Sequence, residues 1–177
     1  MKSLEEQMAF YAAYHRHPMN RASHFVGVPV IVFSIMGLLD LARFTDITLW
    51  VYPLSLALVV TVLVLVYYYL LDVPLALFMT VLFGAMLFGV VALRDALAST
   101  TVVAWVHVGL FVGGWILQLL GHGVWEKRKP ALADNLFQVF VAPLFLATEF
   151  FFAIGLRRKT HARVEELMQA HLPARPS

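Results

Sequence analysis

With 177 residues, 61% of them hydrophobic and only 14% charged, the chain carries more apolar surface than a single domain of this size can hide in its own core. A bilayer must therefore serve as its solvent. The formal charge of +2 points to no nucleic-acid or acidic partner, and the absence of cysteine excludes disulfides, thiolate metal sites and cysteine nucleophiles.

Residues 1–20 are polar and mixed in charge, so no cleavable signal peptide is expected. Residues 3–14, SLEEQMAFYAAY, predict a short helix lying along the interface or on the bundle. Ser3 and Glu6 fit a capping box, and Leu4, Met8, Tyr11 and Ala12 form an apolar stripe at helical spacing. Pro18 disfavours helical geometry at His17, which predicts a break there and a new helix from near Met19 or Asn20. The first apolar run spans about Phe25 to Leu41 and contains Pro29, which a membrane helix tolerates. A loop over Arg43–Thr48 is expected next. The run Leu49–Leu71 then exceeds the roughly 20 residues a crossing needs. Asp72 and Pro74 mark a tight turn. A third run extends from Pro74 to Leu93, after which Arg94 and Asp95 face water, and a fourth from Val102 to Leu120 delivers His122. A fifth apolar stretch, Leu136–Leu156, holds Gln138, Pro143 and Glu149 and closes with Arg157, Arg158 and Lys159. Residues 160–172 read as a short amphipathic helix and the end as disordered.

These elements predict an all-α, polytopic membrane bundle. About four full spans are joined by a broken or re-entrant fifth helix and by interfacial N- and C-terminal helices. The whole of 1–177 forms one integral membrane domain, with the bundle over 25–156 and a cytoplasmic tail over 160–177. Lys2, Arg16 and Arg21 precede the first span, and Lys127, Arg128 and Lys129 follow the fourth. The connections after spans one and three each carry one arginine, balanced by Asp46 and Asp95. The positive-inside tendency then places the N-terminus and the segment after span four on the cytoplasmic side. A full crossing by the fifth stretch would send three cations outward, which is why it is read as broken, re-entrant or shallow.

Of the seven histidines, His15, His17 and His24 lie at the start of span one and His122 at the end of span four, on the same side. Nine residues of continuous helix would point His15 and His24 in opposite directions; the break at Pro18 removes that objection. Asn20 shares a helix face with His24, and Glu126 shares one with His122 if that helix runs on to Pro130. Gly121 and Gly123 leave His122 uncovered and let another backbone approach. His15, His24 and His122 can thus hold one metal ion; His17 could replace His15, although its place against the proline favours a structural role. His107 lies fifteen residues before His122, about 22 Å along a helix, and reads as a hydrogen-bonded histidine near the opposite face. His161 and His171 read as solvated. The run Lys127–Lys129 serves as an orientation signal or anionic-lipid anchor, or binds a carboxylate head. Trp50, Tyr52 and Trp125 are simplest as interfacial aromatics; Tyr67, Tyr68 and Tyr69 fit either that belt or the bundle core. Imidazoles without thiolates suit iron, zinc, copper or nickel alike. Three protein ligands leave open positions, the mark of a catalytic site.

The stretch YHRHPMNRASHFVGVP, followed by GGWILQLLGHGVWEKRKPALADNLFQVFVAPLF, resembles the membrane 2-hydroxy-fatty-acid dioxygenase family, which includes a yeast α-oxidation enzyme of phytosphingosine breakdown and bacterial relatives. The likeness covers about residues 10–156, and Gly114–Pro143 is its most specific part. It implies an iron(II)-dependent α-oxidation in which a 2-hydroxy fatty acid and O₂ give an acid one carbon shorter and CO₂, with no organic cosubstrate. It maps the family's histidines onto His15, His24 and His122, and leaves out His17 and His107. The substrate head would sit beside Arg16, Arg21, Lys127 and Arg128. Glu126 has three readings: a fourth ligand, an acceptor orienting an imidazole N–H, or an ion-pair partner of Arg16 or Arg21. The orienting role is preferred, with Asn20 beside it. The competing functions are a zinc-dependent membrane lipid hydrolase on the same ligands and a non-catalytic lipid-binding protein. Short termini and an alanine- and arginine-rich style favour a bacterial inner membrane over the endoplasmic reticulum.

Overall fold

The computed structural model describes residues 2–49 and 52–172. Trp50 and the disordered end expected after residue 172 lie outside the described residues. The chain is helical, as its composition predicts: α1 (Leu4–Ala13), α2 (Pro18–Asp40), α3 (Leu56–Leu71), α4 (Val73–Leu97), α5 (Thr100–Leu120), α6 (Gln138–Ala153) and α7 (Arg158–Met168). A short antiparallel hairpin, β1 (Arg43–Leu49) and β2 (Tyr52–Ser55), stands between α2 and α3. Three helices are long and apolar enough to cross a membrane: α2, α4 and the continuous segment Thr100–Glu126.

Three expectations need correction. The loop over Arg43–Thr48 is strand β1, and the crossing expected over Leu49–Leu71 is shortened to α3, whose first residue is Leu56. Thr45, Ile47 and Thr48 are β-branched and favour an extended chain. Ser55 ends the hairpin by capping α3, its side chain accepting from the Leu58 amide. The fifth apolar stretch is not broken: α6 is one 16-residue helix with Pro143 inside it. Pro143 lies in the second turn, so the lost backbone bond falls near the helix end, where it disturbs least. At about 1.5 Å per residue α6 spans about 24 Å, less than the roughly 30 Å hydrocarbon core.

The contacts divide the chain into two compact units, Val26–Leu117 and Met1–Phe25 with Gln118–Ser177. In the first, α3 and α4 pair through the turn at Asp72, whose side chain caps α4 by accepting from the Leu75 amide, with Pro74 in the first turn. Tyr68 is fully buried against Phe83, while Tyr69 is exposed and bonds Thr80. Buried Asp40 accepts from Arg43, Arg94 and Tyr52, each at 3.0 Å. A carboxylate inside α2, unremarked in the sequence, thus gathers both connecting arginines; Arg94 also reaches Asp95.

Small residues bring α2 and α5 close in this unit. A Cβ on Gly114 would lie 2.7 Å from Ile31 Cγ1 and 3.2 Å from the Gly27 carbonyl. Gly37 makes the notch for His107: a Cβ there would lie 1.5 Å from the ring's Nε2. This is the small-residue packing by which membrane helices approach. His107 is fully buried, edge-on to Phe33, and neither ring nitrogen has a hydrogen-bond partner among the described residues. The hydrogen-bonded role expected for it is therefore corrected to a packing role.

In the other unit, α1 packs against α6 and α7. The Ser3–Glu6 capping box is present, with Leu4, Met8, Tyr11 and Ala12 buried. The tail forms helix α7, as its pattern predicts, with Val164 buried. His161 is not simply solvated: it stacks on Phe152 at 4.4 Å.

Gly37→Ala is expected to lower stability by about 1–3 kcal/mol or more, because the methyl overlaps the His107 ring. The double variant Gly37→Ala/His107→Ala should recover part of that loss, as read by thermal unfolding in detergent.

Candidate metal centre

Each histidine reaches the site by a different local device. α1 ends at Ala13 with Tyr14 as its cap, and α2 starts at Pro18, so the chain turns between His15 and His24 as the proline predicts. His15 follows α1 directly and stacks on Tyr11, ring centroids 4.0 Å apart and planes within 2°. His24 lies in the second turn of α2. His122 sits in a π-helical turn, Gly121–Glu126, that ends at Lys127 in the left-handed region (φ 51°). The amides of Lys127 and Arg128 both donate to the His122 carbonyl. The α-helix expected to continue to Pro130 is thus replaced by one wider turn, a form common at functional sites.

The three imidazoles converge. All are buried, and each offers a ring nitrogen within 4.8 Å of the others. His15 Nδ1 is 2.7 Å from the Tyr11 carbonyl and His24 Nδ1 is 2.8 Å from the Asn20 carbonyl. A carbonyl only accepts, so both Nδ1 atoms carry the proton and both Nε2 atoms present lone pairs. Those Nε2 atoms stand 3.0 Å apart. Two lone pairs at that distance repel unless a cation lies between them. A shared proton would place positive charge in a buried site, and burial, reinforced by His24, already holds the His15 pKa well below the ordinary histidine range. A metal ion satisfies the geometry better. Two nitrogens about 2.1 Å from one ion stand about 3 Å apart at adjacent corners of an octahedron. His122 adds a buried Nδ1 with no hydrogen-bond partner. The donor set therefore fits a transition-metal ion.

Glu126 supports this set from behind. It accepts from the backbone amides of Arg16 (3.1 Å) and His17 (2.8 Å) and from Asn20 Nδ2 (3.1 Å). It does not orient an imidazole, since backbone carbonyls do that for His15 and His24, nor is it an ion-pair partner of Arg16 or Arg21. It ties the turn bearing His122 to the connection between the other two ligands. His17 Nδ1 accepts from the Met19 amide and so caps α2. Gly121 allows close approach by side chains, not by backbone: a Cβ there would lie 2.3 Å from Ser23 Oγ and 2.4 Å from Asn20 Oδ1. Gly123 faces open space.

The four candidate cations separate into two pairs. Arg21 donates to the His15 carbonyl at 2.7 Å and to Glu149 at 2.9 Å. Arg128 donates to the Ala13 carbonyl at 2.7 Å and lies over the Tyr14 ring. Tyr14 in turn donates to Asp134, which pairs with Lys129; that hydrogen bond raises the Tyr14 pKa. Arg16 and Lys127 are exposed, with no side-chain partner among the described residues.

The family model described as "2-hydroxy-palmitic acid dioxygenase Mpo1-like" matches residues 1–154. The chain belongs to the Mpo1-like family. It is 38% identical over 173 residues to the 2-hydroxy-palmitic acid dioxygenase MPO1 of Saccharomyces cerevisiae, covering 96% of this chain and 93% of that protein. No solved structure matches it. The Mpo1-like match runs from the N-terminus to the end of α6 and so takes in all three histidines, Glu126 and Asn20.

The site role of Tyr11, whose ring and carbonyl both hold His15, is not singled out in the sequence, and Asn20, which is, holds His24 through its backbone carbonyl. The i, i+4 spacing to each histidine was the available signal. Gly121→Ala is expected to reduce bound metal sharply while Gly123→Ala leaves it unchanged, measured by elemental analysis of purified protein. Glu126→Ala is expected to weaken metal affinity about 10- to 100-fold with the three ligands intact, measured by competition with a chelator.

Proposed function

We propose that this Mpo1-like chain is an iron(II)-dependent dioxygenase that α-oxidises 2-hydroxy fatty acids to acids one carbon shorter. The observation that carries the reading is the buried trio His15, His24 and His122, with two Nε2 lone pairs meeting at 3.0 Å, in a chain 38% identical to a protein named for that activity. The reaction balances without an organic cosubstrate: RCH(OH)COOH and O₂ give RCOOH, CO₂ and H₂O. Iron(II), when bound, supplies the means of activating O₂ and of chelating a 2-hydroxy acid.

The protein's part is positioning. His15, His24 and His122 would hold the ion as neutral ligands, and three protein ligands would leave positions for substrate and O₂. The Tyr11 and Asn20 carbonyls fix the His15 and His24 rings. Of the four cations expected to receive the carboxylate, Arg21 and Arg128 are engaged by other groups, which leaves Arg16 and Lys127 to draw the anionic head toward the site. Lys127 adopts a left-handed backbone that glycine would occupy at less cost, and its exposed side chain suits a role in binding. Helices long and apolar enough to cross a membrane support an acyl substrate drawn from the lipid phase. The clustering of cations near the N-terminus and after Glu126 supports a cytoplasmic-side site.

Purified protein is expected to bind about one iron per chain and to consume O₂ when given 2-hydroxyhexadecanoic acid, releasing pentadecanoic acid. His122→Ala should cut turnover by about 100-fold or more with loss of iron. Product formation that continues without O₂ would overturn the reading in favour of a hydrolase.

A further inference from the structure

We propose that Gln118 recognises the hydroxyl-bearing carbon of the substrate and so sets the preference for 2-hydroxy acids over unsubstituted ones; this rests on the 2-hydroxy-acid reading above. Gln118 is 4% exposed, and neither its Oε1 nor its Nε2 has a hydrogen-bond partner among the described residues. A buried amide left with both ends unsatisfied is costly, and native proteins leave such groups where something else completes them. Gln118 belongs to the same compact unit as the three histidines. It precedes His122 by four positions, so the two side chains leave the helix on the same side, one turn apart. Gln118 is thus the polar side chain of α5 that stands nearest His122 in the sequence.

The chemistry of the amide selects the partner. Nε2 donates and Oε1 accepts. A carboxylate only accepts, so an unsubstituted fatty acid satisfies Nε2 and leaves Oε1 bare. A 2-hydroxy acid satisfies both: its carboxylate accepts from Nε2 and its hydroxyl donates to Oε1, while the hydroxyl oxygen keeps lone pairs for the metal. A site built to bond a hydroxyl rejects the analogue that lacks it far more strongly than an apolar pocket can. Gln118 touches none of the metal ligands through a hydrogen bond, so it acts on substrate choice and not on metal retention.

The test is binding without turnover. Full-length iron-loaded protein in detergent is titrated anaerobically with 2-hydroxyhexadecanoic acid and with hexadecanoic acid, read by tryptophan fluorescence. Wild type is expected to favour the 2-hydroxy acid by about 100-fold or more. Gln118→Met and Gln118→Leu should reduce that preference by about tenfold or more, leaving the part that chelation by the metal supplies, at unchanged iron content and melting temperature, and should raise KM more than they lower kcat. Gln118→Glu, nearly isosteric, keeps an acceptor but sets a carboxylate against the substrate's own and should weaken binding of both acids. Retention of the preference in the Met and Leu variants would mean that water alone completes the amide and would overturn the proposal. Loss of iron together with the preference would also overturn it, by making the residue a structural support. If wild type binds neither acid, the dioxygenase reading itself falls, an outcome distinct from wild-type binding without a preference, which sinks only the role given to Gln118.

Discussion

The site depends on one repulsion. His15 and His24 each spend the Nδ1 proton on a backbone carbonyl, which turns two Nε2 lone pairs toward each other at 3.0 Å. The fold forces this arrangement: Tyr11 stacks on one ring, the second turn of α2 fixes the other, and burial opposes protonation as a way out. A cation is the partner that turns the repulsion into a bond. The protein therefore presents a preorganised donor set, which keeps the cost of assembling the site out of the binding step.

Holding that set requires supports from distant sequence. Glu126 gathers two backbone amides and the Asn20 amide. A carboxylate taking three donors at the start of α2 also sits where the helix dipole favours negative charge. Gly121 removes the side chain that would push Asn20 and Ser23 away. Arg21, paired with Glu149, also holds the His15 carbonyl. Arg21 holds the backbone of a ligand directly, and the other contacts hold the chain beside the ligands, not the imidazole rings. Their loss is thus felt as misplacement of a whole chain segment, an effect that a small change in ligand distance makes large.

The unit Val26–Leu117 follows a different logic. Apolar helices gain nothing from the hydrophobic effect when lipid is the alternative, so they associate through close contact and polar anchors. Gly37 and Gly114 provide the first, and the buried Asp40 with Arg43, Arg94 and Tyr52 provides the second. His107 belongs to the close contacts, with its imidazole filling a notch left by a missing side chain.

Much of this was legible from the amino-acid sequence alone. Composition dictates a membrane helical protein; Ser3 and Glu6 mark the start of α1; Pro18 forces the break that lets His15 and His24 face one another; and the trio itself follows from histidines placed at the ends of two spans. These are local rules of capping, periodicity and backbone sterics, which act within a few residues; they leave His17 open in place of His15, and the family resemblance is what narrows the set to the trio. Tertiary contact decided the rest. Which cations remain free and that Gln118 is buried without a partner among the described residues, that Glu126 holds amides and not an imidazole, and that Asp40 collects two arginines all depend on which side chains meet across helices far apart in the chain. Hydrophobic pattern says that a face is buried, not what lies against it, and hydrogen bonds are settled over a few ångströms that only the packed structure fixes.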